Sequence, residues 1–393
     1  MEKCKEIIIN GLKEGNSRSL AEFLESDRKK ILFGQGHQGF ICYDMCNRLG
    51  EELDFFIGSR KSGRNPVIPK EIPFALCDEF PYSQEEYDVL ISVNEKWNDE
   101  VREQLANCGF THVYYSENWN DTNREYRTIF LNAFLRQEMG DAYRESDKVI
   151  EWKNFKIWSG VDQPEEYSSM LMGDFFDIIA PSIFGSEEYV REGAYESGEV
   201  VIEKDDIVLD LGANIGMFSC VGAAKGKAVY AFEPTPGTRK LLDQQKELYD
   251  NLMTEEYAVS NQVGTCMFAV NDMTTDNYNT GGNTLFAERL GDSAAQIEVK
   301  TITIDEFVRE RGLESVDFIK ADIEGAERYM LEGAKETLVR FAPKLSLCTY
   351  HLPDDPQVLE ELILRYNPNY VVRQGAKKLW AWVPEQRKTD NSN

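Results

Sequence analysis

The spacing of hydrophobic residues changes several times along the chain, and each change marks an element. In residues 1 to about 25, Ile7, Ile8, Leu12, Leu20 and Phe23 recur at helical spacing, interrupted near Gly15. From 28 to 118, short apolar runs alternate with helical stretches. "KKILFGQGHQGF" reads as strand, glycine turn and helix, and "LDFFIGS", "YDVLISV" and "THVYYS" read as further strands. Between the last two, "NDEVREQLANCGF" has helical spacing and a glycine stop. In "REYRTIFLNAFLRQEM", Tyr126, Ile129, Phe130, Phe134 and Leu135 form a broad apolar stripe. Beyond it, "DDIVLDLG", "KAVYAFEP", "EEYAVS", "VDFIKAD" and "PKLSLCTYH" read as strands with helices between several of them. Such alternation predicts α/β architecture around parallel sheets. The expected organisation is an N-terminal domain over 1–120, a helical connector over 121–160, a larger domain over 161–385 and a disordered tail over 386–393.

The chemistry concentrates where the first strand of the larger domain ends, in "VLDLGANIGMFSC". A parallel strand delivers its C-terminal end to the ligand-binding edge of an open sheet. There Gly212 lets the backbone pass close to a ligand. Gly216 opens a helix whose N-terminal amides favour an acidic group or a ribose. The Gly212-x-x-x-Gly216 spacing differs from the dinucleotide fingerprint, which argues against NAD. At the end of the next strand, "AVYAFEP", Glu233 can accept both hydroxyls of a ribose. Strand, glycine bend, helix, strand and acid together suit an adenosine. A plain βαβ unit with an incidental glutamate is the alternative.

These residues resemble the S-adenosylmethionine site of a class I methyltransferase, and among those the FkbM family. "EGAYESGEVVIEKDDIVLDLGANIGMFS", with Glu192, Gly193, Tyr195 and Glu196 ahead of the bend, is similar to that family's entry motif. "AFEPTPGTRKLL", "VDFIKADIEGAERYMLEGAKETL" and "PKLSLCTYHLPDD" resemble its later motifs, and the likeness covers roughly residues 160–383. Ala194 stands where the family usually has proline. The resemblance implies a class I methyltransferase sheet, Rossmann-like, with helices on both faces, and S-adenosyl-L-methionine as cofactor. Asp210, Gly212, Asn214 and Gly216 should line its methionine and ribose side, and Glu233 should hold the ribose. Tyr195 and Glu196 should lie near the methionine, and Ala258 and Val259, with Ser260, near the adenine. The acceptor expected from the family's tendency is a sugar or glycan precursor. N- or O-methylation of a small natural product, or a nucleotide-binding module without turnover, are the alternatives.

Transfer to a hydroxyl needs an aimed nucleophile and a base. Asp322 ends the strand "VDFIKAD", Glu324 follows it, and His351 ends the next strand signal, so these three are the catalytic candidates. Asp322 could instead cap the following helix, Glu327 could simply favour its dipole, and His351 could be structural. No metal is assigned, although Asp322, Glu324 and His351 could gather a divalent cation, for which oxygen-rich ligands would suit Mg²⁺. The polar stretch 271–286 is either a substrate-covering loop or a surface loop.

The front domain carries Gly34-x-Gly36-x-x-Gly39 after a strand and before a helix. The acid that would complete a dinucleotide site is missing. Gly58, Ser59 and Arg60 stand at the second strand's end, and Asp54 lies at its wrong end. The segment resembles small Rossmann-like domains found beside sugar-modifying enzymes. It either packs as a scaffold or binds a nucleotide or nucleotide-sugar, with Arg60 and Arg64 available to a phosphate. The net charge of −26 repels phosphate backbones and anionic lipid, so nucleic acid is not an expected partner. The eight cysteines contain no Cys-x-x-Cys pair. Cys42 and Cys46 could share a helix face near His37, but reduced buried thiols are the simpler reading. The N-terminal Ile run is too short for a signal core or a membrane span, which gives a cytoplasmic expectation with no membrane insertion. Nothing in the pattern sets an oligomeric state.

Overall fold

The computed structural model describes residues 2–59, 68–163, 165–187, 190, 193–270 and 295–384. The chain forms two compact units, Met1–Glu145 and Ser146–Asn393. In the first, helices α1 (Glu2–Glu14) and α2 (Arg18–Glu25) are the two parts of the amphipathic stretch. Ile8, Leu12, Leu20 and Phe23 are buried, whereas Ile7 is 40% exposed and faces away from the core. Then follow β1 (Lys29–Phe33), α3 (His37–Arg48), β2 (Phe55–Gly58), β3 (Phe74–Leu76), β4 (Tyr87–Ile91), α4 (Asn98–Asn107) and β5 (Val113–Tyr114). The sheet order is β3-β2-β1-β4-β5, every neighbour parallel. This is a small Rossmann-like sheet. The helix α5 (Trp119–Met139) buries Tyr126, Phe130, Phe134 and Leu135, and packs on α1. The segment expected as a connector therefore divides: α5 belongs to the first unit.

The glycines after β1 have separate reasons. A Cβ on Gly39 would lie 2.2 Å from the carbonyl oxygen of Gly34, so α3 presses directly onto the turn. Among the described residues, a Cβ on Gly36 would meet nothing within 4 Å. Asp54 accepts the backbone N–H of Lys30 at 3.1 Å, away from the turn. Cys42 and Cys46 are buried free thiols on α3. Arg60, Arg64 and the His37 side chain lie outside the described residues.

The second unit opens with a hairpin of β6 (Val149–Trp152) and β7 (Phe155–Trp158), then α6 (Glu165–Ile179). Its main elements are β8 (Ile207–Leu211), α7 (Met217–Lys225), β9 (Ala228–Phe232), α8 (Pro236–Lys246) and β10 (Leu252–Glu255). A side sheet holds β11 (Ala258–Val259), β12 (Gly264–Val270) and β13 (Ala295–Ile302). Next come α9 (Ile304–Arg311), β14 (Phe318–Ala321), α10 (Glu327–Glu332), α11 (Lys335–Arg340), β15 (Lys344–Cys348), α12 (Asp355–Tyr366), β16 (Val371–Gln374) and β17 (Lys378–Trp382). The order is β10-β9-β8-β14-β15-β17-β16, parallel except that β17 runs antiparallel to both its neighbours. Counted from β8, this is the class I methyltransferase order with its reversed seventh strand. Helices cover both faces. Leu209, Leu211, Ile319, Ala321, Leu345 and Leu347 share one core with residues of α9, α10 and α12. On the other face, Val208 and Val229 press against Gly222 of α7. Burial on both sides explains why these strands read as unbroken apolar runs.

The expected strand "EEYAVS" divides. The sheet's third strand is Leu252–Glu255, while Ala258 and Val259 pair with β13. The loop 271–286, the tail 386–393 and Glu192 lie outside the described residues. Among those described, no helix is long and apolar enough to cross a membrane. Gly39→Ala should destabilise the first unit by about 1–3 kcal/mol, the usual penalty for overpacking against unyielding backbone. Gly36→Ala should leave the urea midpoint unchanged. Equal midpoints for the two variants would contradict the close α3–turn contact.

Candidate functional site

The carboxyl ends of β10, β9, β8, β14 and β15 lie side by side, so the residues that follow them meet along one edge. In that order they are Ala258 and Val259, Glu233, Gly212 to Asn214, Asp322 to Glu324, and Tyr350. A cavity of about 520 Å³ runs along this edge and is lined by all these positions, including Glu324. That size suits a small ligand. Gly212 has φ +72°, and a Cβ there would lie 1.9 Å from the carbonyl oxygen of Asp322. Only glycine lets the bend after β8 pass the end of β14. Asn214 (φ 51°) and Glu324 (φ 56°) also hold left-handed backbone. Asparagine tolerates it, but for glutamate it is a strained conformation of the kind that gathers at functional sites.

Glu233 is buried at the middle of the cavity. Its two oxygens accept the backbone N–H groups of Asn214 (3.2 Å) and Thr235 (2.8 Å). Burial pushes its carboxyl up to about 7, against the pull of those donors. The carboxylate is thus aimed and poorly solvated. At the β10 end, Tyr257, Ala258, Val259 and Phe268 give an apolar surface.

Three expected cofactor residues stand elsewhere. Asp210 is fully buried beneath the bend and does not line the cavity. It accepts from Ser219 Oγ at 2.6 Å and lies 3.0 Å from Lys320 Nζ. Lys320 also donates to the carbonyl of Gly212 at 2.8 Å, so Asp210 acts on the bend through Lys320. Glu196 turns away to Lys225, 2.6 and 2.8 Å from its Nζ, and accepts the N–H of Ile202. Gly216 makes room for α8, since a Cβ there would lie 2.7 Å from Leu242. Its chain neighbours Ile215 and Met217 line the cavity, but Gly216 itself does not.

Tyr195 does line the cavity, and its hydroxyl donates to Asp322 Oδ2 at 2.7 Å. Burial, then the adjoining Asp322 charge, push that phenol well above its ordinary range, so it stays a donor. Asp322 Oδ1 accepts from Tyr350 at 3.3 Å. Burial works against the charge on Asp322, but His351, Lys320 and Tyr195 outweigh it and hold the carboxyl well below the usual range. His351 is almost wholly buried behind Asp322 and Glu324 and does not line the cavity. Its Nε2 lies 3.4 Å from Asp322 Oδ1 and 3.6 Å from Glu324 Oε2, and its Nδ1 lies 3.0 Å from Glu327 Oε1. Burial opposes charge on the ring, but Asp322 and Glu327 prevail and raise it to about 10. Glu327, not Asp322, takes the backbone N–H of Ile323 before α10, at 3.0 Å. Arg328 reaches Asp355 at 2.6 Å, and Asp355 accepts the N–H of Leu352, which anchors the turn carrying His351.

Residues 210–371 match the profile of the Methyltransferase FkbM domain. The second unit carries an FkbM methyltransferase domain. Its sequence is 27% identical over 164 residues to the hexuronic acid methyltransferase AglP of Haloferax volcanii, covering 41% of this chain and 62% of that protein. It is 27% identical over 180 residues to the 31-O-demethyl-FK506 methyltransferase FkbM of Streptomyces tacrolimicus, covering 39% and 66%. The 2-O-methyltransferase NoeI of Sinorhizobium fredii is 28% identical over 151 residues, covering 36% and 62%. The chain thus spans about two thirds or less of the length of these relatives.

Sequence reasoning missed several residues that line the FkbM-domain cavity. Asp174 and Asp177 come from α6, and Lys378 from β17, neither of which its strand and motif pattern singled out. Lys320 had a visible signal, a lysine inside the apolar run "VDFIKAD", because a charge in a buried strand must be paired. Lys320→Met would leave the buried Asp210 carboxyl without its counter-charge. It should destabilise the second unit by about 3–5 kcal/mol, the scale for removing one partner of a buried ion pair. A loss below about 1 kcal/mol in chemical denaturation would contradict this role.

Proposed function

We propose that this chain transfers a methyl group from S-adenosyl-L-methionine to an oxygen of a sugar or other small hydroxylated acceptor. The observation that carries the reading is Glu233: a buried carboxylate, aimed by two backbone N–H donors, facing a cavity beside the glycine bend. A vicinal diol such as a ribose supplies the two donors such a group lacks. Gly212 and Asn214 would hold the amino-acid side of the cofactor, and Ala258, Val259, Tyr257 and Phe268 its base. Bound there, the cofactor supplies a methyl already activated on a sulfonium. The chain's own part is to aim the acceptor and take its proton. Asp322 and Glu324 are the carboxylates on the cavity wall that would receive it. Tyr195 keeps Asp322 in one orientation. Asp322 sits too far below the usual range to be a strong base, so orienting the acceptor hydroxyl is its larger share.

The acceptor class draws on relatives whose names specify a hexuronic acid or methylation at oxygen. A net charge of −26 supports a small acceptor over a nucleic acid. The test is release of S-adenosylhomocysteine with hexuronic acids and other hydroxylated sugars. Cofactor binding without turnover on any of them would refute the acceptor class.

Glu233→Ala should weaken S-adenosylmethionine by about 1.5–3 kcal/mol, roughly ten- to a hundredfold. Ribose hydroxyls donate to the ionised carboxylate, whose pKa is about 7 in the free protein. Binding therefore favours deprotonation, and affinity should rise between about pH 6 and 8 and level off above. Glu233→Gln should flatten that rise. Calorimetry showing a flat profile for the wild type would contradict the assignment. Asp322→Asn should keep cofactor affinity and lower turnover at least about a hundredfold, the scale of losing an acid–base or orienting group. Near-normal turnover at saturating substrates would move the role to Glu324.

A further inference from the structure

We infer that Asp322, Glu324 and His351 bind one divalent first-row transition-metal ion at the wall of the cavity. Each offers a ligand atom, and these atoms lie within 4.8 Å of one another. Nε2 of His351 is 3.4 Å from Asp322 Oδ1 and 3.6 Å from Glu324 Oε2. Both separations exceed an ordinary N–H···O bond of about 2.7–3.2 Å. An ion about 2.0–2.2 Å from each ligand, with near-tetrahedral angles, holds its ligands about 3.2–3.6 Å apart.

The independent observation is His351 itself. Its side chain is 1% exposed, and among the described residues neither ring nitrogen has an aligned hydrogen-bond partner. Nε2 points at the two cavity carboxylates, while Nδ1 lies 3.0 Å from Glu327 Oε1. Glu327 is in turn fixed by the N–H of Ile323. A carboxylate behind a histidine orients the ring and makes its other nitrogen a better ligand. The other two ligands are equally constrained. Tyr195 holds Asp322 Oδ2, while Oδ1 faces His351 and accepts from Tyr350 at 3.3 Å. The left-handed backbone at Glu324 turns its carboxylate toward the same point. The nearby cation Lys320 is engaged by Asp210.

Two carboxylates and one imidazole suit Mn²⁺, Fe²⁺ or Zn²⁺ better than Mg²⁺, which takes oxygen ligands. Asp322 and Glu324 both line the cavity, so the ion's remaining positions face it and are open to water or an acceptor oxygen. Use of the ion to polarise an acceptor oxygen rests on the methyl-transfer reading; its binding does not.

The test reads binding alone, on the full chain stripped with a chelator and then dialysed. Mn²⁺ is titrated by its electron paramagnetic resonance signal, and Zn²⁺ by calorimetry. One ion per chain should bind with Kd below about 0.1 mM. Asp322→Asn, Glu324→Gln and His351→Asn should each weaken it at least about a hundredfold, and Glu327→Gln about ten- to a hundredfold. Glu324→Gln changes a partly exposed side chain, and retained S-adenosylmethionine binding shows that it is folded. No stoichiometric ion, or an ion bound equally well by folded Glu324→Gln, would overturn the site. Cofactor calorimetry on the same samples reports the methyl-transfer reading separately.

Discussion

The ends of β8 and β14 approach so closely that residue 212 cannot carry a side chain. Its Cβ would fall 1.9 Å from the carbonyl of Asp322, and the rest of the site follows from that approach. It brings the backbone that would face the cofactor beside the carboxylate that would face the acceptor. The parallel register reinforces it, with Leu211 opposite Ala321 and the N–H of Asp322 bonded to the carbonyl of Leu211. Lys320 ties the same two strands by bonding the Gly212 carbonyl while its charge is met by Asp210. A cation and an anion buried together are stable only as a pair, so this tie locks two strand ends at one separation.

Around it, charge is arranged by depth. The deepest layer holds Asp210 and Lys320, which neutralise each other. The next holds Glu327 and His351. The cavity wall holds Glu233, Asp322 and Glu324, the last two lying 3.4 and 3.6 Å from Nε2 of His351. Burial raises Glu233 against the pull of its Thr235 and Asn214 donors, whereas at Asp322 the pull of His351 and Lys320 outweighs burial and lowers it. Two carboxylates on one sheet edge thereby acquire opposite tendencies, one receptive to neutral hydroxyls and one strongly anionic.

The first unit shows a different economy. Its Gly39 is explained by the pressure of α3 on the turn and its Gly34 by left-handed backbone (φ +107°) close to Ser92 and Val93, while a Cβ on Gly36 would meet none of the described residues. A glycine pattern that looks like a ligand fingerprint is thus partly a packing requirement. The absent acid at the end of β2 fits that view, since Asp54 is spent on the backbone of Lys30.

The parallel strands were legible because burial on both faces demands unbroken apolar runs, and β8, β9, β14 and β15 fall where those runs lie. So were the glycine bend and the acid at the end of β9, because a tight turn and a charged group in an apolar setting leave local marks. The antiparallel pair β16 and β17 was not legible, since its mixed residues, such as Arg373 and Lys378, follow no single-face alternation. Nor could spacing tell that Asp210 and Glu196 face away from the cavity. Both are acids at the right distance from the bend, and each is taken by a lysine, Lys320 or Lys225, that lies far along the chain. The sequence by itself determined the elements and which strand ends carry chemistry, because backbone sterics and periodic burial act locally. Only the tertiary structure decided which way each charged side chain points, because a buried charge goes to its counter-charge, and that partner is chosen by folding, not by proximity in sequence.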